Sequence, residues 1–295
     1  MPPQKILVTG ATGTQGGGVA KHALRAGHDV YALVRNPDSD AAKALADAGA
    51  KLIKGSFDDL ESLKQATQNT DALYLQPPGN IAKDVEYVKN AIAAAKAASV
   101  QTIITSTAVR TGDHETFPGW GPDYPMYRYW LVKQEIENIV RGAGFRHWAI
   151  VRPSHFLQNF KMPKSQFIYP GFPESQVLKT IVKPDAKLGW VDASDVGIVA
   201  VAVLADPAKY SGREFDLAVE SLTMGEIAEK ISKAIGKPVT AKPYSQEELE
   251  AMKGSPVLGS QKWANEVRTD SGAETTAKEF ALTSVQEFFK KVPLF

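Results

Sequence analysis

Cysteine is absent from all 295 residues, which excludes disulfides, thiolate metal centres and a cysteine nucleophile together. An excess of either charge is missing too. The 34 basic and 33 acidic side chains leave a net charge of +1, too little to draw the chain to nucleic acid or anionic lipid at large. The five histidines include no His-x-x-x-His pair, so a structural metal site has no sequence support. No run approaches the roughly 20 apolar residues of a membrane helix, and a strand pattern begins too soon after Met1 for a signal-peptide core. These absences predict a soluble, cytoplasmic protein with no nucleic-acid or membrane partner. With 43% apolar and 23% charged residues, the composition is that of a globular domain large enough for one main core and a satellite.

Ile6-Leu7-Val8-Thr9 is a short apolar run ending in glycine, and Val19, Ala20, Ala23 and Leu24 follow at helical spacing. Val30 to Val34 and Lys51 to Lys54 then predict further strands, with a helical stretch between them. The alternation continues through Ala72 to Leu75, Thr102 to Thr105 and Trp148 to Arg152, each preceded by an amphipathic helix. Strands alternating with helices imply a parallel sheet covered on both faces. The predicted fold is therefore α/β, a doubly wound parallel sheet of six strands with a smaller C-terminal substrate lobe. Residues 1–153 form the core in this reading. Residues 154–295 complete the sheet and form the lobe, since the rhythm breaks after Pro153 and returns at Val196. Thr223-x-x-Glu226, Ser245-x-x-Glu248 and Ser284-x-x-Glu287 read as helix capping boxes in the lobe.

Between the first strand and helix lies Gly10-Ala11-Thr12-Gly13-Thr14-Gln15-Gly16. A phosphate loop needs glycines to turn sharply, to let the backbone approach an anion, and to pack helix on strand. The helix N-terminus then offers free amides to a pyrophosphate. This is the pattern of a Rossmann-type dinucleotide site. Gly17 and Gly18 follow at once, and they either admit a ligand or neighbouring backbone, or are merely tolerated. The Gly-x-x-Gly-x-x-Gly spacing resembles the extended and atypical short-chain dehydrogenases.

At the end of the second strand an NAD site places an acidic residue to hold the ribose 2′-hydroxyl. Here the sequence reads Val34-Arg35-Asn36, and a forked guanidinium suits a 2′-phosphate instead, so the expected cofactor is NADP(H). Asp58 stands where the superfamily's acidic residue meets the adenine, and it also stands where it could cap the next helix.

Tyr129-Trp-Leu-Val-Lys133 is the chain's Tyr-x-x-x-Lys, and residues four apart share a helix face. On such a face an ammonium stabilises phenolate, which makes the tyrosine a usable general acid for an acceptor receiving hydride. The alternative is an aromatic side chain that packs or lines a pocket. Thr105-Ser106-Thr107 ends the fifth strand with hydroxyls able to meet a developing oxyanion. The extended-family pattern favours Thr107 for that role.

Taken together, Ile6 to Gly16, Val34-Arg-Asn-Pro37, Arg152-Pro-Ser-His-Phe-Leu-Gln-Asn159 and Leu188-Gly-Trp-Val-Asp-Ala-Ser-Asp-Val-Gly197 resemble the NmrA-like family of atypical short-chain dehydrogenases. The resemblance implies that Gln76, Pro77 and the pair His155-Phe156 border the nicotinamide end of the cofactor, and that Lys133 also orients its ribose. Phe167, Tyr169, Trp190 and Trp263 either line an apolar pocket or belong to the core. Members of the family divide between NADPH-dependent reductases and NADP(H)-sensing regulators that bind a protein partner. The retained Tyr129 favours a reductase of a small, largely apolar carbonyl, quinone, enone or imine. The alternative is a catalytically silent sensor.

Overall fold

Every residue of strand β1 (Lys5–Val8) except the first is buried, as a parallel strand covered on both faces requires. The computed structural model describes residues 3–294. After β1 come α1 (Thr14–Arg25), β2 (Asp29–Val34), α2 (Asp40–Asp47), β3 (Lys51–Lys54), α3 (Leu60–Thr67), β4 (Ala72–Leu75), α4 (Asp84–Ala97), β5 (Thr102–Ser106), α5 (Tyr127–Gly142) and β6 (His147–Pro153). Later in the chain, α6 (Val196–Ala205) and β7 (Arg213–Leu217) return to the same body.

The sheet order is β7-β6-β5-β4-β1-β2-β3. From β6 to β3 each neighbouring pair is parallel, with Val8 opposite Ala32 on one side and Tyr74 on the other. The order reverses on either side of β1, so the switch point of the sheet lies beside the glycine loop. A six-strand core is the sequence expectation; β7 adds a seventh. Its five residues, Arg-Glu-Phe-Asp-Leu, hold only two apolar side chains, too short a signal to read as a strand beforehand.

One face of the sheet is covered by α3, α4 and α5, where Leu7, Leu73 and Ile103 pack with Val88, Val132 and Ile136. On the other face α1 meets α6 at very close range. A Cβ on Gly18 would stand 2.5 Å from the Ser194 Cα, and one on Gly197 would stand 2.7 Å from the Gly18 carbonyl oxygen. Gly18 therefore admits neighbouring backbone rather than a ligand.

The chain forms two compact units that interleave along the sequence. The first holds the residues up to Ala108, Leu131–Arg152 and Ala193–Phe215; the second holds Val109–Trp130, Pro153–Asp192 and the residues from Asp216 on. The chain leaves the first unit after Arg152, and the contact of α6 with α1 brings it back. In the second unit, Leu188–Val191 pairs antiparallel with Glu220–Leu222 and parallel with His155–Phe156, while Val177–Thr180 pairs with Thr240–Pro243. The boxes at Thr223 and Ser245 close in both directions. Ser284 caps the Glu287 amide, but the Glu287 carboxylate accepts from Lys291 instead of reaching back. Among the described residues, no helix is long and apolar enough to cross a membrane.

Candidate cofactor and catalytic site

Because β1 to β6 run parallel, the residues that follow them gather along one sheet edge. Gly10 to Gly13 follow β1, Arg35 follows β2, Asp58 lies beyond β3, Gln76 and Pro77 follow β4, and Ser106 and Thr107 end β5. Most of the predicted cofactor residues thus occupy the carboxyl edge of the first unit.

The loop turns back on itself, with the Gly13 amide donating to the Gly10 carbonyl at 2.9 Å. A Cβ on Gly16 would lie 2.3 Å from that same oxygen, so glycine is required for the turn itself. Helix α1 begins at Thr14 without a side-chain cap and without an acidic residue in its first turn. Its first amides and its positive dipole end are therefore available to an anion. Thr12 is exposed in the loop, while Thr14 and Gln15 are half-buried.

Arg35 is exposed one residue beyond β2, and among the described residues no carboxylate pairs with it. The following turn is closed locally by Asn36, whose side chain accepts from the Asp38 amide at 3.0 Å. The cradle therefore fits a nucleotide carrying an extra phosphate: glycine backbone, an uncapped helix end, and a free guanidinium along one edge.

Asp58 does not cap α3; Asp59 does, accepting from the amides of Glu61 and Ser62. Asp58 instead accepts from the Tyr87 hydroxyl at 2.8 Å and from Lys83 Nζ at 3.3 Å. The Tyr87 hydrogen bond holds the Asp58 carboxyl below its usual pKa. The capping use open to Asp58 in the sequence is therefore taken by Asp59.

At the centre of the edge, Ser106 donates to Gln15 Oε1 at 2.7 Å, and the Gln76 amide donates to Thr9 Oγ1 at 2.7 Å. These bonds tie the loop after β1 to the ends of β4 and β5. Thr107 gives its hydroxyl proton to Glu137 at 2.6 Å. That carboxylate is fully buried and also accepts from Arg152 through two nitrogens, at 2.8 and 2.5 Å, and from Arg141 at 2.7 Å. A hydroxyl has one proton. In this arrangement Thr107 has none left for an oxyanion, and its role is to bind Glu137.

Helix α5 carries both members of the predicted pair. Tyr129 is half-buried and meets Trp130 edge-to-face, with ring centroids 5.1 Å apart. Lys133, one turn on, is only 6% exposed. Burial holds its ammonium below the usual lysine pKa, and the negative charge of Asp84 opposes that shift. Asp84 and Glu137 are the residues sequence reasoning missed. A signal for Glu137 existed: it follows Ile136 at the border of the apolar stripe Val132, Ile136 and Val140 on α5, where a charge that becomes buried needs a partner.

Tyr129 and Phe156 belong to the second unit, Phe156 half-buried in the strand after Ser154. His155 lies beside Trp190 at 5.4 Å and Trp263 at 5.9 Å. Trp190, Trp263 and Tyr169 are buried, Tyr169 stacked on Phe160 at 5.0 Å, whereas Phe167 is 63% exposed. The first three are core aromatics of that unit; Phe167 is a surface residue. Among the described residues no cluster of side chains could hold a metal ion.

Known proteins place this geometry in context. A (4-alkanoyl-5-oxo-2,5-dihydrofuran-3-yl)methyl phosphate reductase of Streptomyces griseus is 31% identical over 239 residues, 79% of this chain and 75% of its own length. The negative transcriptional regulator NmrA, solved in complex with NADP, superposes with a TM-score of 0.77 at 22% identity, covering 99% of this chain and 96% of its own. The NADPH-dependent quinone oxidoreductase QOR2 of Escherichia coli, solved with NADPH, gives 0.72 at 23% identity, covering 97% of this chain and 99% of its own. The two structural likenesses speak for the fold, and the family model matches residues 2–289, so the chain belongs to the NmrA-like family.

Proposed function

We propose that this chain is an NADPH-dependent reductase of a small, largely apolar carbonyl, quinone, enone or imine. The observation that carries the reading is the buried Lys133 on α5, one helical turn after Tyr129. A sheltered ammonium at that spacing has a chemical use, because it stabilises phenolate and so makes the phenol a better acid. Relatives named as reductases and structural neighbours solved with NADP or NADPH support the same reading.

Bound NADPH supplies the hydride. Gly10, Thr12, Gly13, Thr14, Gln15 and Gly16 would hold its pyrophosphate, Arg35 its 2′-phosphate, and Asp58 its adenine. Gln76 and Pro77 would border the nicotinamide. Lys133 orients the ribose and tunes the phenol of Tyr129. Tyr129 would give its proton to the acceptor's heteroatom, and solvent would return a proton to the phenolate. Thr107 is outside this scheme, its proton being held by Glu137.

The test is NADPH oxidation against a panel of quinones and carbonyls, comparing wild type with Tyr129→Phe. Turnover should fall about 10²- to 10⁴-fold, the usual worth of a positioned general acid, while NADPH affinity stays near wild type. Tight NADPH binding by the wild type with no turnover of any acceptor would instead give the sensor reading, with a protein partner in place of a substrate.

A further inference from the structure

Two carboxylates are fully buried where α4 and α5 cover the sheet of the first unit, Asp84 and Glu137. Glu137 is satisfied by Thr107, Arg141 and Arg152. Asp84 is not. Its Oδ1 accepts from the Asn80 amide at 3.0 Å, and its Oδ2 has no hydrogen-bond partner. A carboxylate held in that state needs a nearby cation, because burial otherwise penalises the charge.

Lys133 is a buried cation on the neighbouring helix α5. Helices α4 and α5 each connect parallel strands, so they run in the same direction, and Lys89 on one pairs with Glu135 on the other at 3.5 Å. Asp84 lies five residues before Lys89, and Lys133 two before Glu135. Their levels along the helices therefore differ by about 4.5 Å, less than one turn. A helical side chain leans toward the N-terminus, which aims the lysine stem toward the level of Asp84.

The neighbouring charges are otherwise committed or exposed. Glu86, Lys89 and Glu135 are exposed. Lys83 pairs with Asp58, and Glu61 pairs with Lys64 on α3. Strand β5 carries no titratable side chain, Tyr74 on β4 is held neutral by burial, and on β6 Arg152 serves Glu137 while His147 lies at the far end of the strand. The electrostatic influence of Asp84 on Lys133 agrees with this placement.

We propose that Asp84 is the buried counter-charge of Lys133, a positioning residue that acts on the reaction through that ammonium without touching substrate or cofactor. Its effect on catalysis rests on the reductase reading; the pairing does not. Without Asp84 the ammonium loses its compensation and gives up its proton at lower pH, removing the charge that tunes Tyr129.

A thermal double-mutant cycle on the full chain tests the pair, using Asp84→Asn, Lys133→Met and the double variant. Each single variant should lower the melting temperature by removing the opposite charge from a buried group, and the double variant should lie above the sum of the two losses. Simple additivity overturns the pairing whatever the activity. The pH profile of turnover tests the role: Asp84→Asn should lower the alkaline limit of kcat by about one pH unit, with Asp84→Glu closer to wild type. A coupled cycle with an unmoved alkaline limit overturns the role. A wild type without turnover tells against the reductase reading alone, and the cycle then decides the pairing by itself.

Discussion

Arg35 is a single exposed side chain, yet it bears on which nucleotide the glycine loop should hold. A guanidinium at the end of β2 can donate to a 2′-phosphate, and a charge-assisted hydrogen bond is worth about 1.5–3 kcal/mol. Arg35→Asp removes that donor and adds a repelling charge, so NADPH should bind at least about 10- to 100-fold more weakly while NADH gains. Titration of the two dinucleotides into the variant, followed by fluorescence, reads this directly. An unchanged NADPH preference would sink the assignment. The position of Arg35 was legible because it is set locally, by a strand end and a spacing. Thr107 shows the opposite case. Its position after β5 was readable, but the direction of its proton depends on Glu137, thirty residues on and fixed in turn by Arg152. The capping residue of α3 was not readable for a related reason, since either Asp58 or Asp59 could fill that place and only the backbone at the turn selects Asp59.

Helix α1 illustrates what a sequence pattern can and cannot say about an element. Its start after a glycine loop and its apolar spacing were readable, whereas the purpose of Gly17 and Gly18 was not. Gly18 is the point where α6 crosses α1, a contact spanning more than 170 residues of chain. Gly18→Ala gains about 1 kcal/mol of helix propensity. It also drives a methyl into the Ser194 backbone, and such overpacking typically costs about 1–3 kcal/mol. Backbone cannot step aside as a flexible side chain can, so the clash wins and stability to urea should fall. Gly17→Ala is the control, because its nearest neighbour, the Ala11 carbonyl oxygen, would be 3.1 Å away and a small shift relieves it. The control should stay near wild type. Equal urea midpoints for wild type and Gly18→Ala would refute the crossing as the reason for that glycine.

At the scale of the molecule, the sequence rhythm showed where the strand-helix alternation stops and implied that later residues complete the sheet, but not that the strand Arg213–Leu217 is the one that does so, since that pairing depends on contacts distant in sequence. The second unit also carries a pH dependence that composition alone would not suggest. His155 is half-buried beside Trp190 and Trp263, and burial pushes its imidazole down to about 4, with a hydrogen bond to the Gly189 backbone opposing only in part. The free residue titrates near 6.5, so between these values the unfolded chain binds more protons than the folded one. Stability should therefore be full above pH 6.5 and fall as pH drops toward 4. At pH 5 the loss amounts to about 2 kcal/mol as an upper figure, since the residue is only half-buried. His28 is lowered as well, by burial first, and adds a smaller loss of the same sign. For Glu214, burial raises the carboxyl, but the Arg141 hydrogen bond and the Arg141 and Arg152 charges outweigh it and leave its pKa depressed. Its stabilisation is lost only below the ordinary glutamate value near 4.5, so the window from pH 6.5 to 5 belongs mainly to histidine. His155→Phe keeps an aromatic ring between the tryptophans and removes the titration. Urea midpoints measured from pH 7 to 5 should decline steeply for wild type and much less for the variant. Parallel declines in the two proteins would show that the acid sensitivity arises elsewhere, and that the imidazole is far better hydrated than its packing indicates.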